Sequence, residues 1–152
     1  MNITVRQASV SEIDKLLEWR MEVLRNVFGT SATNNESSLY SENREYYLEA
    51  IPSGGHVAVF AEIDGTSIGC GGLCLYKEMP SPDNPTGQCA YLMNVYTRKE
   101  YRNQGVGKTV VEWLVNFAKK QGITKIYLET SDCGRPLYEN LGFKDMRDYM
   151  KM

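Results

Sequence analysis

The sequence predicts a single mixed α/β domain, α+β in its make-up, on three observations. Segments with the two-residue alternation of a half-buried strand interleave with segments whose apolar residues recur at helical spacing. A glycine-containing loop, Arg102-Asn103-Gln104-Gly105-Val106-Gly107-Lys108-Thr109, joins one such strand to a long amphipathic helix. The 152 residues suit one core, and the chain carries no repeat and no linker.

The elements follow in order. ITVRQA (3–8) alternates apolar and polar residues and reads as a strand. Ser9 and Glu12 form an S-x-x-E capping box. The helix behind it places Ile13, Leu16, Leu17, Arg20, Met21 and Leu24 on one face. GTSATNNESS (29–38) is polar and turn-rich, so a loop is expected, and LYSENREYYLEA (39–50) is a second helix stopped by Pro52 and Gly54-Gly55. HVAVFAEI (56–63) and SIGCGGLCLY (67–76) are strands joined at Asp64-Gly65. EMPSPDNPTG (78–87), with three prolines, is an exposed loop, and QCAYLMNVYT (88–97) is the next strand. Val106, Val110, Trp113, Leu114 and Phe117 mark a helix over 105–121 that ends at Gly122. TKIYLET (124–130) is a strand and GRPLYENLGF (134–143) a short helix, and the tail (144–152) has room for one strand or a tight hairpin.

Composition narrows the function. The chain is 42% apolar and 24% charged, as ordered domains are, with a net charge of -2 and a pI near 5.5. That balance argues against general nucleic-acid binding, which depends on excess positive charge. No apolar run approaches the roughly 18 residues that would span a bilayer. The start lacks a basic segment followed by an apolar one, so a cytoplasmic protein without membrane attachment is expected. Cys70, Cys74, Cys89 and Cys133 match no zinc spacing, and His56 is the only histidine. Reduced thiols and no metal are expected.

Three patterns compete for the glycine loop. A nucleotide P-loop needs glycine at 102, where Arg102 stands, and the dinucleotide fingerprint fails at Val110. The pattern [RQ]-x-x-G-x-[GA] is met in full by Arg102, Gly105 and Gly107. A helix start offers unpartnered N–H groups and the positive end of the dipole, and glycines let a phosphate approach. Arg98, Lys99, Arg102 and Lys108 add positive charge, so a pyrophosphate suits the loop. A tight turn that binds nothing would use the same glycines.

About thirty residues later comes Leu137-Tyr138-Glu139-Asn140-Leu141-Gly142-Phe143. This motif, the Arg-Gly-Gly loop and the order of elements together resemble the GNAT superfamily of N-acetyltransferases. The resemblance implies a mostly antiparallel central sheet flanked by helices. Strands 88–97 and 124–130 would run parallel and splay into a V that takes acetyl-CoA as co-substrate. Its pantetheine arm would pair with backbone of Val95, Tyr96 and Thr97. Its pyrophosphate would meet the amides of Arg102, Asn103, Gln104, Gly105, Val106, Gly107 and Lys108, and Tyr138 would face the sulfur. Members often carry asparagine seven residues before that tyrosine to help hold CoA; here Ser131 takes the position. The two usual closing strands have little room after Phe143, which leaves a short edge or one completed by a second copy in a homodimer.

The implied reaction is transfer of acetyl from acetyl-CoA to a primary amine of a small molecule or peptide, by direct attack in a ternary complex. A backbone N–H near the middle of strand 88–97 would polarise the carbonyl, and Tyr138 would protonate the departing thiolate. Tyr91 and Asn94 lie beside the expected thioester, and neither is a good base, so an ordered water would carry the amine's proton away. Glu22, Glu62 and Glu129 are further candidates for that role, and His56 reads as structural or surface. Glu12, Asp14, Glu18, Glu22, Glu36, Glu42, Glu45 and Glu49 suit a cationic amine, although Arg20, Arg25 and Arg44 interrupt them and a solvated face explains them equally. The alternative is an acyl-CoA-binding sensor or interaction module without activity, which would keep the loop and have no need of Tyr138.

Overall fold

The structure, a computed structural model, describes residues 1–29 and 36–152. Strand β1 (Thr4–Gln7) leads through a short 3-10 turn into α1 (Ile13–Phe28), followed by α2 (Glu36–Ser53). Then come β2 (His56–Ile63), β3 (Thr66–Lys77) and β4 (Gln88–Thr97), the helix α3 (Val106–Lys120), β5 (Lys125–Leu128) and α4 (Arg135–Asn140). The five strands form one sheet in the order β1-β2-β3-β4-β5. Neighbours are antiparallel except β4 and β5, which run parallel with α3 as their crossover. This is the mostly antiparallel sheet with one parallel pair that the resemblance implied. The β2–β3 hairpin turns at Asp64 (φ 49) and Gly65 (φ 80), the two positive angles of a type I′ turn.

Each face of the sheet has its own core. On one, α3 sets Val106, Val110, Val111 and Leu114 against Val57, Val59, Ile68, Leu73 and Leu92. On the other, α1 and α2 set Leu16, Leu17, Trp19, Val23 and Tyr47 against Ala58, Phe60 and Cys70. Glycines in β3 allow the close approach of α3. A Cβ at Gly71 would lie 2.6 Å from Val110 Cγ1, and one at Gly69 would lie 2.8 Å from Val106 Cγ1.

Several boundaries depart from the sequence reading. The residues 30–35 of the expected 29–38 loop lie outside the described residues. α2 already covers Glu36, and Pro52 falls inside its last turn rather than beyond it. α1 buries Trp19 and Val23 besides Leu16, Leu17, Met21 and Leu24, because it packs on both the sheet and α2. In the loop 78–87, Asn84 is buried, with its Nδ2 donating to Gln88 O at 3.0 Å. β5 and α4 are shorter than expected, and no strand forms in 144–152. Polar and charged residues dominate that tail, which is held by side chains: Tyr149 stacks on Tyr127 and Asp145 pairs with Arg135.

Candidate active site

The glycine loop turns the chain from β4 into α3. Arg98 opens it and Lys99–Tyr101 make a 3-10 turn. Asn103 (φ 60) and Gly105 (φ 83) are left-handed, which an asparagine tolerates and a glycine adopts freely. Arg102 Nε donates to Thr97 O at 3.0 Å, so this arginine ties the loop to the end of β4, and Gln104 Nε2 donates to Glu100 O. Thr109 N–H bonds back to Gly105 O. The amides of Val106, Gly107 and Lys108 therefore precede the helix's internal ladder. The Val106 side chain is buried in the core, so only its amide faces the loop. Lys108 is exposed and lies 4.0 Å from Glu112. Gly107 also makes room for α4, since a Cβ there would meet Leu137 Cδ2 at 3.3 Å.

The parallel pair opens above this loop. β5 pairs with β4 only from Cys89 to Leu92, so Met93–Thr97 have no strand on that side. β4 also bulges away from β3. Gly72 pairs with Met93 and Cys70 with Tyr96, so the single Gly71 stands opposite both Asn94 and Val95. Asn94 takes φ 59. Its side chain and that of Met93 then point to the α1–α2 side, and Val95 packs towards α3. The alternation read from the sequence does not contain this extra residue. The bulge interrupts the register with β3 at Asn94 and Val95, in the middle of β4 where the resemblance requires a free donor.

The remaining expected residues fall around this opening. Tyr138 is half-buried against Phe143, with ring centroids 5.8 Å apart, and burial raises its pKa. Its hydroxyl has no hydrogen-bond partner among the described residues. The Ser131 hydroxyl accepts the Gly134 N–H at 3.3 Å and so helps form the turn into α4. Tyr91 packs on Tyr127, with centroids 5.0 Å apart, and burial pushes its pKa up to about 12. Glu22 is held by Arg98 at 3.0 Å and by the Tyr96 hydroxyl, and Glu62 by Arg6 at 2.9 Å. Of the three glutamates considered as bases, exposed Glu129 alone is outside an ion pair among the described residues. A groove of about 1080 Å³ runs between α4, the tail and β5; Tyr138 lines it, and none of residues 102–108 does.

A second cavity, of about 220 Å³, lies on the α1–α2 side of the bulge and was not read from the sequence. Met93 and Asn94 form its floor, and Arg20, Asn43 and Tyr46 come from the helices. His56 and Cys74 close it. Burial takes the His56 pKa down to about 4, so its ring is neutral at pH 7, and it shares a hydrogen bond of 2.8 Å with the Tyr46 hydroxyl. Arg20 shows as a break in the apolar face of its helix, but its partners lie 23 and 74 residues away. The four cysteines are free, and no group of three or more His, Cys, Asp or Glu residues could hold a metal among the described residues. No helix among them is long and apolar enough to cross a membrane.

Fold and opening define the class: a mixed α/β domain whose sheet parts between two parallel strands above a glycine-capped helix. The sequence model of the Acetyltransferase (GNAT) family matches residues 13–143, and the chain belongs to that family. The thialysine N-epsilon-acetyltransferase of Sus scrofa is 27% identical over 97 residues, covering 49% of this chain and 57% of that protein. The [ribosomal protein bS18]-alanine N-acetyltransferase of Escherichia coli is 32% identical over 59 residues, covering 37% of this chain and 40% of that protein. The chain thus spans less than two thirds of either relative's length. A predicted acetyltransferase of Clostridium acetobutylicum, crystallised with acetyl-CoA, superposes with a TM-score of 0.89 at 26% identity, over 99% of this chain and 96% of that one.

Proposed function

We propose that the protein transfers the acetyl group of acetyl-CoA to a primary amine of a small molecule or peptide, in one ternary complex. One observation carries the reading. The unpaired edge of β4 from Met93 to Thr97 leads from the bulge at Asn94 straight to the free amides of Val106, Gly107 and Lys108. An extended pantetheine arm can add to that edge as a strand would, through Val95, Tyr96 and Thr97. Its pyrophosphate then meets the helix start, where Gly105 and Gly107 leave room. Family membership, and a relative crystallised with acetyl-CoA, support the choice of ligand. Arg102 acts by holding the loop to Thr97, and Ser131 by shaping the turn beside it.

The amine nitrogen attacks the thioester carbon, the C–S bond breaks and sulfur leaves as thiolate. A backbone N–H freed by the bulge polarises the carbonyl, a contribution of about 2.7–4 kcal/mol by comparison with oxyanion-hole donors. Tyr138 supplies a proton to the thiolate; its raised pKa keeps the hydroxyl protonated. An ordered water near Tyr91 and Asn94 takes the amine's proton. Four free thiols fit a reducing compartment such as the cytoplasm.

Thermal unfolding with acetyl-CoA and, separately, with ATP tests the ligand. Acetyl-CoA at 100 times its dissociation constant should add about 2.7 kcal/mol, and ATP much less. A shift with ATP but none with acetyl-CoA would overturn the proposal. Amine-dependent release of the CoA thiol then separates an enzyme from a sensor.

A further inference from the structure

The carboxylates of the first two helices suggested a cationic acceptor, and the structure removes them from the cavity. Glu12 pairs with Arg6, Glu22 with Arg98 and Glu36 with Arg25. Glu42 and Glu45 are exposed. The one charged side chain that lines the 220 Å³ cavity, among the described residues, is Arg20. It is half-buried, and no carboxylate lies within ion-pair distance of it among the described residues. Two neutral oxygens hold it instead: Nε donates to Asn43 Oδ1 at 3.0 Å and Nη1 to Asn94 Oδ1 at 2.9 Å. Asn43 is itself fixed, because its Nδ2 donates to Leu39 O at 2.8 Å. The guanidinium has five N–H donors and uses two, so three remain in a pinned fork. A half-buried cation without a counter-ion invites an anion. Bidentate pairing with a carboxylate is the geometry that this fork matches best.

Asn94 connects this fork to the chemistry. It belongs to the bulge where the thioester carbonyl is expected, and its side chain anchors Arg20. An anion on Arg20 therefore sits beside the reacting centre. The cavity is also small. At about 220 Å³ it suits a small amino acid better than an oligosaccharide. Tyr46, Tyr47 and Met93 line the rest with apolar surface suited to a short side chain.

We propose that the acceptor is a small amino carboxylate whose carboxylate docks on Arg20 while its amine reaches the bulge at Asn94. This rests on the acetyltransferase reading above, and the test separates the two. Glycine, L-alanine and L-methionine are compared with their carboxamides, and with cadaverine and phosphoethanolamine, by CoA thiol release. The carboxamide amines are less protonated at neutral pH, which works against the expected result. The acids should nevertheless exceed their amides in kcat/KM by about tenfold or more, the scale of one charge-assisted hydrogen-bonded pair. Arg20→Gln should erase that ratio, chiefly through KM, and Arg20→Lys should keep part of it. Amides or cadaverine used as well as the acids, phosphoethanolamine preferred to them, or a ratio that survives Arg20→Gln would overturn the proposal. A second measurement needs no turnover. With CoA present, N-acetyl-L-alanine should raise the unfolding temperature of the parent protein more than N-acetyl-L-alaninamide, and Arg20→Gln should abolish the difference. Equal shifts from the two would sink the proposal whatever the turnover shows. Loss of stabilisation by acetyl-CoA itself would strike the acetyltransferase reading instead.

Discussion

At the scale of single residues, Tyr138 is the group whose role is most directly tested. Its ring packs on Phe143, and its hydroxyl has no partner among the described residues, so Tyr138→Phe removes the hydroxyl and leaves the packing. If the hydroxyl protonates the thiolate, kcat should fall by roughly 10²–10⁴ with little change in acetyl-CoA binding. Burial raises the tyrosine's pKa, and the acid must be protonated to act. The fall of kcat at high pH should therefore lie above the ordinary tyrosine value near 10, and the mutant should lack it. A mutant with near-parent kcat, measured where chemistry limits turnover, would make Tyr138 a packing residue. Tyr138 could be singled out from the sequence because LYENLGF is local. Asn94 was named from its place on the strand, but its left-handed backbone was not legible, since a bulge depends on the register with β3. Arg20 was read as one position on an apolar face, and its role depends on Asn43 and Asn94, which are distant in sequence.

At the scale of elements, the strand cores and the helix ends marked by a capping box or a glycine were legible because alternation, capping and glycines are written locally. The Ser9 N–H does donate to Glu12 Oε2 at 3.2 Å, and Gly122 (φ 78) does end α3. What failed was the tail, whose pattern allowed a strand that the fold does not make. Gly107 shows a different gap. Read from the sequence, it clears space for a phosphate; in the structure it also clears space for Leu137, which seats α4 on α3. Gly107→Val should therefore do two things. Overpacking should cost about 1–3 kcal/mol of stability, and CoA affinity should fall. Adding Leu137→Ala should recover part of the stability and none of the affinity, because truncating Leu137 leaves the valine over the proposed phosphate site. Denaturant unfolding and CoA titration of the single and double mutants read the two effects. Stability and affinity recovered together would mean that the valine acts only by displacing α4.

At the scale of the whole molecule, the two faces of the sheet are secured unequally. α3 buries Val106, Val110, Val111, Leu114 and Ala118, and it crosses a sheet whose Gly69 and Gly71 let it come close. α2 is longer, yet it buries Tyr47 alone. Apolar burial is the main term that resists local opening, so α2 should open well below the global unfolding free energy and α3 near it. Native-state hydrogen exchange should accordingly show fast amides along α2 and slow ones in α3, β2 and β3. The Arg20–Asn43 bond ties α2 to α1, and through Asn94 to β4, so the proposed acceptor cavity should share the mobility of α2. The proposed thioester side rests on the rigid half. Acetyl-CoA should then slow exchange in two separated places: the edge of β4 from Met93 to Thr97, and the amides of Val106, Gly107 and Lys108. It should leave α2 nearly unchanged until an acceptor analogue is added. Protection confined to α2, or spread evenly over the chain, would place the ligand elsewhere or make its effect one of global stability alone. Protection at both expected places, with α2 still exchanging, would show a cofactor side built in advance and an acceptor side that closes on its substrate.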